Sequence, residues 1–150
     1  MNIGSLFCSL GKACGGCTCD EVLDIQPCGT IDYCLVDAIV RAKAAEINDS
    51  DYEVYIPDRA NKVYKKADVM VAHELKEVSV IRFVEEEHDC DDYAAELFGK
   101  FAGLVWSNIH GLNWFIDETD TYWYIEPQTR QLSQTLEGWQ GNDIRFFIGR

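Results

Sequence analysis

Cys90, His110 and Glu126 are the residues of this chain whose types and order can do covalent chemistry. A thiol becomes a nucleophile when a base within reach takes its proton, and a third group must hold the base's imidazole in one tautomer. Cys90 stands in Glu85-Glu86-Glu87-His88-Asp89-Cys90-Asp91-Asp92-Tyr93, a single thiol among six carboxylates. It opens a run in which Cys90, Ala94, Leu97, Phe98, Phe101 and Leu104 recur at helical spacing. Asp89 is placed to cap that helix, and Asp91 and Asp92 suit its first turn, where the helix dipole favours negative charge. A thiol at a helix N-terminus commonly has its pKa lowered. His110 and Glu126 lie in segments 107–117 and 122–129, whose aromatic and β-branched residues predict two strands joined by a polar hairpin loop. A helix over residues 90–102 carries the chain away by about 18 Å, and seven extended residues return about 23 Å. The connection therefore closes if the helix stops near Gly103, a glycine at the usual C-cap position.

The order Cys, His, acid on a helix and two strands is the order of papain-like and transglutaminase-like thiol enzymes. Three motifs sharpen it: Asp89-Cys90-Asp91-Asp92-Tyr93-Ala94, then His110-Gly111-Leu112-Asn113-Trp114-Phe115-Ile116-Asp117, then Ile125-Glu126-Pro127-Gln128-Thr129. Together they resemble the papain-like C-terminal domain of the mushroom chimerolectin agglutinin and its bacterial and phage relatives. The resemblance implies Cys90 as nucleophile, His110 as base and Glu126 as the group orienting it, in a calcium-dependent cysteine protease acting on a peptide or protein. It covers roughly the last two-thirds of the chain. The gap from Cys90 to His110 is short for that family.

The acids around Cys90 work against a thiolate, since each nearby carboxylate disfavours the charged sulfur and two would outweigh the helix dipole. A bound cation reverses that balance, and oxygen-only ligands select calcium or magnesium. Asp91 and Asp92 are the expected calcium ligands, with Asp89 in reserve as the cap. Asp117 and Asp120 read as solvated turn acids. The whole acidic run is otherwise a solvated face.

Cys8, Cys14, Cys17, Cys19, Cys28 and Cys34 crowd the N-terminal part. Cys14, Cys17 and Cys19 have the close spacing of a metal knuckle, and Cys28 or Cys34 completes a tetrahedral set for zinc. An incidental cysteine-rich tail, disulfides and palmitoylation of Cys8 are the competing readings. Residues 1–29 are thus expected as a cysteine-rich segment and 30–150 as one papain-like domain.

Within that domain Thr30 can cap a helix over 31–47 that buries Ile31, Cys34, Leu35, Ala38, Ile39, Ala42 and Ala45. Strands are expected at 52–56, 78–84 and 144–148, with a helix near 65–77 turning Ala67, Met70, Val71 and Leu75 inward. Trp139 either shields the His–acid pair from water or packs a loop down. His73 reads as a packing histidine, and His88 as a residue near the site but not its base. The fold class is α+β, with the cysteine helix packed on a small antiparallel sheet.

The 150-residue length suits one domain with a real core. The net charge of −13 argues against nucleic-acid binding, and no stretch has the length or apolarity of a membrane span. Without a basic, apolar leader the expected location is the cytoplasm. The expected function is a cysteine-dependent hydrolase, a peptidase working through a thioester. The alternatives are a catalytically silent metal-binding or interaction module and a transglutaminase-like acyl transferase.

Overall fold

The computed structural model describes residues 25–47, 51–75, 89–139 and 143–150. These hold β1 (Gly29–Asp32), α1 (Tyr33–Glu46), β2 (Glu53–Tyr55), β3 (Ala60–Val63), α2 (Lys66–Leu75) and α3 (Cys90–Phe98), followed by β4 (Gly103–Ser107), β5 (Gly111–Ile116), β6 (Tyr122–Glu126), β7 (Gln131–Ser133) and β8 (Ile144–Ile148). Six strands form one sheet in the order β2-β8-β4-β5-β6-β7, and β1 pairs with β3 in a second. All neighbours in the large sheet are antiparallel except β2, which runs parallel to β8.

The expected helix on a small antiparallel sheet is therefore corrected: among the described residues the chain is sheet-rich, with eight strands in two sheets, the larger one mixed. Four of these strands are not foreshadowed by the sequence pattern. β1, β3 and β7 are only three or four residues long. β1 and β7 are mostly exposed or half-buried, and β3 alternates in burial but with polar Asn61 as one of its inward residues, so none shows the apolar alternation that marks a strand in sequence. β4 lies where the chain was expected to return from the helix as a plain connection.

Every residue of β5 is buried, because both faces of the sheet are covered. On one face Val36, Val40 and Ala44 of α1 pack with Val105, Leu112, Trp114, Tyr122, Tyr124 and Phe147. On the other, Leu97 of α3 and Val69 of α2 meet Phe115, Ile125 and Phe101. Asp32 caps α1 by accepting from Cys34 N at 2.8 Å, so the helix begins at Tyr33 and Ile31 belongs to β1. The buried face of α1 is rotated from the expected one, and Cys34 and Leu35 are exposed. In α2 Val69 and Ala72 are buried while Met70 and Val71 face outward. Both helices carry apolar residues around much of their circumference, so periodicity alone could not choose the face.

Gly103 is the tightest point of the sheet. A Cβ there would stand 2.2 Å from the indole of Trp114, whose Nε1 donates to Ile148 O at 3.1 Å and so cannot swing aside freely. Gly103→Ala is expected to cost about 3 kcal/mol, at the upper end of overpacking penalties. Thermal melting checks this, and an unchanged midpoint would show that the indole relaxes.

Candidate functional site

Cys90 opens α3, and its neighbours define that end. Asp89 accepts from Asp91 N at 3.3 Å while Asp92 accepts from Asp89 N at 3.2 Å, a reciprocal capping box. The expected cap is thus observed, though the helix ends at Phe98 with Gly99 as C-cap and not near Gly103. The start of α3 lies directly on Gly111: a Cβ there would meet Cys90 O and Asp91 Cα at 3.2 Å. A side chain there would force this helix turn to move off by a few tenths of an ångström. The Gly111 backbone also acts to lower the Cys90 thiol, since this end of α3 is seated on the residue that follows His110. Farther along α3, Asn113 Nδ2 donates to Ala94 O at 2.9 Å and to Gly103 O at 3.0 Å, fixing the helix over β5.

His110 ends the turn between β4 and β5. Ser107 closes that turn, accepting from His110 N at 2.9 Å and donating from its hydroxyl to His110 O at 3.0 Å. Across the β5–β6 pairing, His110 Nε2 and Glu126 Oε2 lie 2.5 Å apart, with each side chain 10% exposed. The second oxygen of Glu126 accepts from Gln128 N at 3.1 Å, and Arg130 N donates to Glu126 O at 2.9 Å. The turn after β6 therefore holds the carboxylate on the imidazole, leaving Nδ1 for proton exchange. Gln128 contributes through its backbone N–H.

Two residues of the site carry little signal in the sequence. Ser107 was expected to open a strand over 107–117, whereas the structure ends β4 there and turns through Ser107-Asn108-Ile109-His110 before β5 begins at Gly111. Trp106 pairs with Gly111 across β4–β5, which puts its indole on the same sheet face as α3. It stacks on Phe146 at 5.9 Å and 18°, forming an aromatic wall. Trp139 instead packs against the first core cluster.

The electrostatics of the thiol follow the acids, as expected, with burial added to them. The Cys90 thiol is raised, first by burial, with the Gly111 N–H opposing and Asp89 and Asp91 adding to the shift. Helix position does not by itself make a thiolate here, so reaction near neutral pH requires a base. Asp91 is raised as well, first because it shares a hydrogen bond with Asp89. Ligand atoms of Asp89, Cys90 and Asp91 lie within 4.8 Å of one another, whereas Asp92 turns back to cap the helix. Calcium takes six to eight oxygens, and two carboxylates from the described residues supply a fraction of that set. Asp117, expected as a solvated turn acid, is 5% exposed and organises the β5–β6 hairpin.

Of the expected zinc ligands, Cys14, Cys17 and Cys19 lie outside the described residues, as do Cys8, His88, Glu85, Glu86, Glu87 and the strand at 78–84. Cys28 is exposed, with its sulfur 3.5 Å from Val63 O. Among the described residues no helix is long and apolar enough to cross a membrane.

No family model and no curated protein matches the chain. Solved structures do. The structure of a PSL1a-E64 complex aligns with a TM-score of 0.66 at 19% identity, over 79% of this chain and 50% of that one. That of a Polyporus squamosus lectin bound to the human-type influenza-binding epitope Neu5Acα2-6Galβ1-4GlcNAc aligns with a TM-score of 0.63 at 19% identity, over 79% and 49%. The chain thus spans about half the length of these structures. At this identity the likeness shows the fold alone. The expected papain-like protease family is corrected by these findings, since the second neighbour is a lectin and no protease family model matches. The hydrolase and peptidase reading drawn from that family goes with it.

Proposed function

We propose that Cys90 is a nucleophilic thiol that bonds covalently to an electrophilic ligand, with His110 taking its proton and Glu126 holding the imidazole. The observation that carries this reading is the largely buried His110–Glu126 contact at 2.5 Å, next to Gly111, on which the Cys90 turn of α3 rests. A buried imidazole–carboxylate pair beside a thiol is the arrangement that activates one. The first structural neighbour is a complex with E64, a thiol-reactive epoxide, which supports a probe of the same chemistry. With an epoxide, the sulfur–carbon bond forms as the carbon–oxygen bond opens. His110 then passes the thiol proton to the new alkoxide.

The test is intact-mass and peptide mapping after brief exposure to E64 or iodoacetamide. Cys28 and Cys34 are exposed and Cys90 is half-buried, so access alone would label the first two faster. The expected result is the reverse, with the first adduct on Cys90. Labelling led by Cys28 or Cys34 would sink the reading. In the same experiment, calcium held by Asp89 and Asp91 would speed labelling of Cys90 at millimolar levels, as suits a site with few protein ligands. A chelator without effect would leave these acids as helix-capping groups.

Glycan recognition is a second reading, favoured by the fold shared with a lectin that binds a sialylated epitope.

A further inference from the structure

The thiol at the start of α3 stands among charges of one sign. A carboxylate oxygen of Asp89, one of Asp91 and the sulfur of Cys90 all lie within 4.8 Å of one another. The capping box holds Asp89 in place, since its side chain accepts from Asp91 N at 3.3 Å. The backbone of Asp91 rests in turn on Gly111. His110 is paired with Glu126 at 2.5 Å, so any charge on its imidazole is matched by that carboxylate. A group that brings an electrophilic atom to the sulfur therefore comes within a few ångströms of two acids. That is inside the Debye length of about 8 Å at physiological salt, where screening is weak. The field of the whole chain, with its net charge of −13, is damped beyond that length. Trp106, across the pairing from Gly111 and on the same sheet face as α3, stacks on Phe146 at 5.9 Å. An aromatic face attracts a cation and not an anion, so this surface acts in the same direction as the acids.

We infer that the site selects a ligand carrying a positive charge, an ammonium or guanidinium, close to its electrophilic atom, and disfavours an anionic one. The inference names the ligand class of the proposed Cys90 nucleophile and rests on that reading. The thiol and its base make the site, and the acids decide which charge approaches it.

Three methanethiosulfonates test it, with ethylammonium, ethylsulfonate and neutral ethyl groups. In each, the sulfur of Cys90 attacks the sulfenyl sulfur, a disulfide forms, methanesulfinate leaves, and His110 takes the thiol proton. The full chain is treated briefly at about 0.15 M salt, and modified peptides are mapped. A chelator is present throughout, so that no divalent cation neutralises the acids. The ratio of cationic to anionic rates at one sulfur cancels its protonation state, and comparison with a second sulfur cancels the reagents' own reactivity. Exposed Cys28 is that second sulfur, because Cys34 has Asp32 and Asp37 beside it. The ratio at Cys90 is expected to be about tenfold above that at Cys28. Asp91→Asn, which leaves the Asp89 cap, should narrow it about threefold, and Asp91→Glu should keep it. Equal ratios at Cys90 and Cys28, or a ratio unchanged in Asp91→Asn, overturn the inference. The nucleophile reading then still stands if the neutral reagent labels Cys90 first. Neutral labelling led by Cys28 or Cys34 overturns both.

Discussion

Replacing His110 with alanine is expected to slow reaction of Cys90 with E64 or iodoacetamide near pH 7 by about two to three orders of magnitude, the usual worth of a positioned base. The magnitude follows from the state of the sulfur. Burial and the neighbouring carboxylates Asp89 and Asp91 raise the thiol, and the Gly111 N–H opposes them only in part. Without a proton acceptor, Cys90 therefore stays a thiol at neutral pH and reacts slowly. Glu126→Gln should cost less, about tenfold, because its amide oxygen can still accept from Gln128 N while the charge that orients an imidazolium is lost. Exposed Cys34 serves as an internal control, since its rate should not change in either variant. If Cys90 in His110→Ala alkylates as fast as in wild type, the thiol is structural and the His110–Glu126 contact is a buried tie between strands.

Asp117→Ala is expected to lower stability by about 3 kcal/mol, a fall of roughly 6–12 °C in melting temperature for a chain of this size. Its buried carboxylate accepts from Thr119 N at 2.8 Å, Thr119 Oγ1 at 2.6 Å, Thr121 N at 3.1 Å and Trp123 Nε1 at 2.8 Å. Bonds to a charged acceptor are the strong ones, and deleting the acceptor strands the indole N–H in a half-buried place. Asp117→Asn should cost nearly as much, since its amide can accept at one oxygen only. The pH dependence has a definite sign. Burial alone would raise the carboxyl, but the hydrogen bonds from Thr119, Trp123 and Thr121 outweigh it and lower it below the ordinary value. A depressed carboxylate stabilises the fold above its unfolded pKa of about 3.9, and that stability is lost as pH falls through the lower folded value. The melting temperature of wild type should thus drop below about pH 4 more steeply than that of Asp117→Asn. Parallel curves would show that Asp117 contributes by shape and not by charge.

The chain's local features were legible because they depend on residues one turn or one hairpin apart. Asp89 before Cys90, with Asp92 three residues on, reads as a capped helix start, and the α3 cap is the observed one. The polar loop after Ile116 reads as a hairpin, and β5 and β6 pair across it. The last strand, at residues 144–148, lies where it was expected. Helix faces were another matter. Tyr33 to Glu46 is apolar on more than one side, and the choice of Val36, Val40 and Ala44 over Cys34 and Leu35 came from where the sheet lies.

What the sequence determined by itself is a set of local elements and the presence of a thiol, an imidazole and a carboxylate in that order. What only the tertiary structure decided is the sheet that joins them and the state of each group. β4 and β8 meet across a long stretch of chain, and no periodicity in either announces that pairing. Asp117 looked like a solvated acid because turn composition says nothing about an indole six residues on reaching back over it. The opposing effects of the helix N-terminus and the neighbouring acids on Cys90 were visible in the sequence, while the burial that most raises its thiol comes from the fold, where β5 sets Gly111 against the same helix turn. Capping and helical spacing act between near neighbours in the chain, so composition reveals them. Desolvation depends on what the rest of the fold brings close, and that is set by contacts between residues distant in sequence.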